Sequence, residues 1–79
     1  MKIATWNVNS IKVRAPQVCA WLQASRTDVL AMQEIKTTDD LFPRDAFDAA
    51  GYDTYVFGQK TYNGVALAVR RETVAKVED

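Results

Sequence analysis

Four short β-type runs and two stripes at helical spacing make up the hydrophobic pattern of this chain. From Lys2 to Trp6 the β-compatible residues alternate, with Ile3 and Thr5 on one face and Ala4 and Trp6 on the other, which predicts a first strand. Residues 7–13 read as a loop. Pro16 then suits the first turn of a helix, where its missing N–H costs nothing. Val18, Trp21 and Leu22 form an apolar stripe, and the polar Arg26-Thr27-Asp28 ends that helix near Ser25. Val29-Leu30-Ala31-Met32 is apolar on both faces, the pattern of a strand covered on both sides. Strand, helix and strand in about thirty residues predict a right-handed βαβ unit with parallel strands.

The second half reads differently. A loop over residues 37–42 leads to Pro43, which opens a short helix running to about Ala50, with Phe47 and Ala50 facing the core. Gly51 is a natural left-handed stop. Asp53 to Phe57 predicts a third strand, and Asn63-Gly64 is a strong reversal signal, so Val65 to Val69 predicts a fourth strand antiparallel to the third. That last strand carries Val65, Leu67 and Val69 on one face and Ala66 and Ala68 on the other. Both faces are apolar, and two helices can cover only one of them well. Trp6, Trp21 and Phe47 are assigned to the core. Arg70-Arg71-Glu72 opens a polar tail in which Val74 and Val77 have the spacing of a further strand.

Composition narrows the function more by exclusion than by suggestion. Seventy-nine residues allow one small domain, and a chain of this size buries only roughly 60–65% of its unfolded surface. The 48% apolar and 25% charged fractions are those of a globular protein, and no apolar run reaches a membrane-spanning length. The single Cys19 cannot form an internal disulfide and reads as a small buried apolar residue, so a reducing, cytoplasmic setting is expected. The absence of histidine excludes Ser-His-Asp and Cys-His arrangements and His-bearing zinc sites within these residues. The loop after the first strand lacks glycine, which excludes a dinucleotide fingerprint there. A formal net charge of zero argues mildly against a free-standing nucleic-acid binder.

The candidate chemistry sits where apolar runs stop. The first strand ends at Asn7 and the second is followed by Gln33-Glu34. Polar groups in an open α/β sheet gather at the carboxyl ends of its strands. If the two strands are parallel, Asn7 and Glu34 meet at one rim, as two oxygen donors for a hard cation such as Mg²⁺. Glu34 reads equally as half of a rim ion pair with Lys36, which shares its side if the chain stays extended. Asn7 reads equally as a turn-former bonded to its own backbone, and Asn9 carries the same ambiguity. Lys12, Arg14 and Lys60 are cations that either neutralise phosphates or solvate a face. Tyr62 either packs on a sugar or base or shields a turn.

Taken together, Thr5-Trp6-Asn7-Val8-Asn9-Ser10, Val29-Leu30-Ala31-Met32-Gln33-Glu34-Ile35-Lys36 and Gly58-Gln59-Lys60-Thr61-Tyr62-Asn63-Gly64-Val65-Ala66 resemble the start of the exodeoxyribonuclease III family. These are the apurinic/apyrimidinic endonucleases of the endonuclease/exonuclease/phosphatase superfamily. The resemblance implies the N-terminal part of a four-layer α/β sandwich, here a βαβ unit with a short helix and a β-hairpin. It implies Mg²⁺- or Mn²⁺-dependent cleavage of duplex DNA at abasic sites, with 3′→5′ exonuclease and 3′-phosphatase activity. By position, Glu34 and Asn7 match the family's catalytic metal and phosphate site, and Lys36 would support the carboxylate. Asn9, Lys12, Lys36, Lys60 and Tyr62 fall where the family touches DNA.

Two residues depart from that pattern, Ser10 where glycine is common and Lys12 where arginine is common. The family's later motifs, an Asp within Gly-Asp-Phe-Asn and a closing Asp-His pair, are absent. Residues 1–79 are therefore expected to be one partial domain, inactive in isolation, from a whole protein that is a monomer. The alternatives are a non-catalytic module that self-associates through its open face, or a branch acting on RNA or phosphoinositides.

Overall fold

A computed structural model describes residues 1–58 and 64–73. Its strands are β1 (Ile3–Asn7), β2 (Val29–Gln33), β3 (Tyr52–Gly58) and β4 (Gly64–Arg70), and its α-helices are α1 (Ile11–Ser25) and α2 (Arg44–Ala49), with a 3₁₀ turn at Asp39–Leu41. Strand order across the sheet is β1-β2-β4-β3. The β1–β2 pair is parallel, with Ile3 opposite Val29 and Asn7 opposite Gln33. β4 is antiparallel to both β2 and β3, pairing Ala31 with Leu67 and Tyr55 with Leu67. The expected βαβ unit and hairpin pairing are both present. The reversal expected around Lys60 and Tyr62 and the strand through Val74 and Val77 lie outside the described residues.

One face of the sheet carries the core. Leu30 and Met32 of β2 and Ala66 and Ala68 of β4 are buried in one cluster with Ile11, Ala15, Val18, Cys19 and Leu22 of α1 and Phe47 of α2. The alanines leave room for the helix layer. The five α1 residues follow an i, i+4, i+7, i+8, i+11 pattern, a single helical stripe. Burial also pushes the Cys19 thiol pKa up, consistent with its reading as a packed apolar residue. Phe42 stacks on Phe47 with centroids 5.4 Å apart.

Among the described residues, nothing packs on the other face. Ile3, Tyr55, Phe57, Val65 and Leu67 are exposed, Phe57 by 67%. Registered across the four strands, they form rows such as Thr5, Ala31, Leu67 and Tyr55. The expectation that β2 is covered on both sides therefore needs correction: within the described residues Val29 and Ala31 are only half-buried, because both helices lie on the Leu30–Met32 side.

Two further expectations change. α1 starts at Ile11, a turn earlier than Pro16 suggests, which puts Pro16 inside the helix. The cause is tertiary. Ser10 N–H and Ile11 N–H donate to the carbonyls of Glu34 and Ile35, at 2.9 and 3.0 Å, so the loop after β2 satisfies helix-terminal donors that a local cap otherwise serves. Trp21 is 36% exposed and is not a core residue. It packs edge-to-face on Trp6 at 5.6 Å, and since β1 is an edge strand its outer side remains open. α1 does end at Ser25, with Arg26 left-handed and its N–H on the Leu22 carbonyl. The connection beyond is less polar in environment than in sequence, because Thr27 is fully buried and its carbonyl accepts the Tyr52 hydroxyl. Gly51 is left-handed, as expected, at φ 94°.

Candidate functional site

Parallel pairing of β1 and β2 puts Asn7 and Gln33 in register, so the two chains leave the sheet at the same rim. They stay together beyond it. Val8 N–H donates to the Gln33 carbonyl at 3.0 Å, and the Ser10 and Ile11 bonds continue the ladder through Glu34 and Ile35. Val8, Ile11 and Ile35 are completely buried and anchor both loops to the core. Ile35 N–H also reaches the Gly64 carbonyl at 3.3 Å, tying in the start of β4. A rim built from strand ends and buried apolar anchors can hold side chains in one geometry.

Four residues left-handed in backbone shape this corner: Asn9 (φ 46°), Ser10 (φ 82°), Glu34 (φ 53°) and Lys36 (φ 55°). Asparagine visits this region readily, whereas serine, glutamate and lysine do so at a cost of roughly 1 kcal/mol or more each. Such conformations persist only where surrounding bonds over-determine them, and here the interloop ladder does so.

The side chains close a ring. Asn7 Nδ2 donates to Glu34 Oε2 at 2.5 Å. Asn7 Oδ1 accepts from the Asn9 backbone N–H at 3.2 Å. Lys36 Nζ donates to Asn9 Oδ1 at 2.5 Å and lies 4.0 Å from Glu34 Oε1. Lys36 reaches Glu34 because both residues turn left-handed, and not through the extended backbone expected from sequence. Asn7 is a turn-former through its oxygen, and it presents its amide N–H to Glu34 where the sequence reading expected a second oxygen donor.

Lys12 is exposed on the first turn of α1, and it lines an open cleft of about 450 Å³ together with Lys36, Thr37, Thr38, Asp40 and Leu41. Thr38 donates its hydroxyl to Asp40 at 2.6 Å, and that bond holds the Asp40 carboxyl below its ordinary pKa. Lys60 and Tyr62 lie outside the described residues. Sequence reasoning missed Val8 and Ile11 as the anchors of this corner, although an apolar pair at a spacing of three in a loop with Asn7, Asn9 and Ser10 was a readable signal.

The oxygens available suit a hard cation, being carboxylate and carboxamide atoms with no competing soft ligand. The set is small: no group of three or more His, Cys, Asp or Glu side chains among the described residues could hold a metal. Glu34 is the only carboxylate in the ring.

The family model for the endonuclease/exonuclease/phosphatase family matches residues 4–78. The chain belongs to this family. It is 36% identical over 72 residues to exodeoxyribonuclease III of Haemophilus influenzae, which covers 91% of this chain and 27% of that protein. Among solved structures, an AP endonuclease from Archaeoglobus fulgidus superposes with a TM-score of 0.84 at 45% identity, over 87% of this chain and 27% of that one. A 3′ phosphatase, NExo, from Neisseria, bound to product DNA hairpin, superposes with a TM-score of 0.84 at 50% identity, over 89% of this chain and 27% of that one. The chain thus spans about a quarter of the length of these relatives. The mixed α/β architecture, one four-stranded sheet with helices on a face, is shared with the AP endonuclease structures. Among the described residues, no helix is long and apolar enough to cross a membrane.

Proposed function

We propose that this chain carries part of the metal-side corner of a divalent-cation-dependent phosphodiesterase that acts on duplex DNA, at abasic sites and at 3′ ends. The observation that carries the reading is the meeting of Asn7 and Glu34 at 2.5 Å on one rim of a parallel strand pair, in a chain whose relatives are DNA-repair nucleases. Glu34 is the metal-holding carboxylate, and Mg²⁺ or Mn²⁺ is the ion its hard oxygens fit. Such an ion, when bound, polarises a phosphoryl oxygen and stabilises the charge that develops on it.

The chain's own residues do the positioning. Asn7 fixes one carboxylate oxygen of Glu34 and leaves the other turned toward Lys36. Asn9 and Lys36 brace that arrangement from the neighbouring loop. Lys12 offers a solvent-facing cation beside the corner, suited to the backbone of a DNA strand, since phosphate contacts supply most sequence-independent affinity. Lys60 and Tyr62, which lie outside the described residues, keep the DNA-contact role that the family resemblance implies.

Two features support reading residues 1–79 as one portion of a larger domain. The sheet's second face is apolar and open, and the relatives are nearly four times as long. The catalytic set is correspondingly incomplete, with one carboxylate in the ring and no histidine in the sequence. Residues 1–79 alone are therefore inactive.

The test uses the full-length protein on an abasic-site duplex with Mg²⁺. Glu34→Gln lowers turnover by about 10²–10³-fold, the usual scale for losing one electrostatic group at a reacting centre. Wild-type activity confined to RNA or to phosphoinositides would overturn the DNA assignment. Cleavage by the isolated 1–79 segment would overturn the claim that it is inactive.

A further inference from the structure

The cationic member of the ring stands beside the carboxylate that the metal reading assigns to an ion. Lys36 Nζ bonds Asn9 Oδ1 at 2.5 Å and lies 4.0 Å from Glu34 Oε1, so one ammonium holds the carboxamide oxygen and faces the carboxylate oxygen that a hard divalent cation would take. The remaining Glu34 oxygen is held by Asn7. A divalent ion on Glu34 and this ammonium repel each other as like charges, so the two compete for the same carboxylate.

Lys36 can leave. Its side chain is 31% exposed and that of Glu34 44%, and its carboxylate contact is long. Lys36 also borders the 450 Å³ cleft that contains Asp40, which gives a displaced ammonium an open space with an acidic group in it. The left-handed backbone at Lys36 and Glu34 lets the lysine reach the corner, and a four-carbon stem lets it withdraw without moving that backbone.

We propose that Lys36 is a resident cation of the metal corner: it holds Glu34 and Asn9 in place while no metal is bound, and it is displaced toward the Asp40 cleft when a divalent ion binds. The proposal rests on the metal reading above and adds to it a positioning residue that competes with the metal. Loading the site is then an exchange of one cation for another, in which the oxygens are already gathered before the metal arrives.

The experiment measures Mn²⁺ binding to the full-length protein by electron paramagnetic resonance, without substrate. Lys36→Met binds Mn²⁺ about tenfold more tightly than wild type, whereas Lys36→Arg, which keeps a competing cation, stays close to wild type. In parallel, the Lys36 side-chain Hε/Cε NMR signals move toward those of a solvent-exposed lysine as Mg²⁺ saturates the site. Unchanged or weaker Mn²⁺ binding in Lys36→Met overturns the proposal, as does a Lys36 signal indifferent to Mg²⁺. Glu34→Gln separates the two levels. If it binds Mn²⁺ as well as wild type does, the metal reading itself fails; if it loses binding while Lys36→Met is unchanged, only the exchange fails.

Discussion

At the scale of single residues, the corner is set by donors and acceptors that have few alternatives. The Asn7 amide donates to Glu34 and accepts from Asn9, so replacing it removes both connections at once. Asn7 is exposed and contributes little to packing. On the function proposed above, Asn7→Ala in the full-length protein is expected to lower abasic-site cleavage by about 10–100-fold, a fraction of what direct loss of an electrostatic group costs, while thermal denaturation changes by less than about 1 kcal/mol. An equal loss of stability and activity would make Asn7 a structural residue only. Ser10 offers the complementary case. At φ 82° and ψ 99° it sits in a conformation that glycine adopts freely and serine does not. Ser10→Gly is expected to raise stability by about 0.5–1 kcal/mol in chemical denaturation, the relieved strain exceeding the added entropy of the unfolded chain.

At the scale of elements, the end of the sheet opposite the site is fastened by a charge network. Asp28, between α1 and β2, accepts from the Lys2 backbone N–H at 2.6 Å and from the Thr73 hydroxyl, and lies 3.5 Å from Arg70 Nε. It thereby joins the starts of β1 and β2 to the end of β4. The Lys2 and Thr73 hydrogen bonds, ahead of the Arg70 charge, hold its carboxyl below the ordinary value of 3.8. A carboxylate with a depressed folded-state pKa contributes stability above its unfolded pKa and loses it as pH falls through the folded value. Asp28→Asn should therefore lower the melting temperature at neutral pH, and the gap to wild type should close as acid protonates Asp28. A gap that persists at a pH where the carboxyl is fully protonated would mean the loss is steric. Arg71, by contrast, bridges Asp48 and Asp53 at 2.6 and 3.0 Å on an exposed surface, where solvent screening keeps such pairs weak.

At the scale of the whole molecule, the described residues form one sheet with a helix layer on one side and an uncovered apolar side. Val65, Leu67, Tyr55, Phe57 and Ile3 lie on that open side and are among the exposed large hydrophobic residues. Contiguous apolar surface of this kind is rare on isolated soluble monomers. Residues 1–79 alone are expected to self-associate in sedimentation experiments, and Phe57→Lys with Leu67→Lys to return the segment toward a monomer. Monodisperse behaviour of the unmodified segment would show that the face tolerates water. The face was legible before any coordinates, because β4 is apolar on both sides and two helices cannot cover both. Which side the helices take was not legible. It follows from volume, the alanines admitting a helix layer that Val65, Leu67 and Val69 would hold further away.

The sequence by itself determined the strands, the parallel βαβ pairing and, through these, the shared rim of Asn7 and Glu34. Local periodicity and crossover handedness leave few other arrangements. Only the tertiary structure decided that β4 inserts between β2 and β3, that α1 begins at Ile11, and that Asn7, Asn9, Glu34 and Lys36 close into a ring. Each of those outcomes depends on partners far apart in the chain, 27 residues for the Asn7–Glu34 and Asn9–Lys36 bonds. No local preference encodes such a contact, and the left-handed turns that complete it run against the preferences of serine, glutamate and lysine.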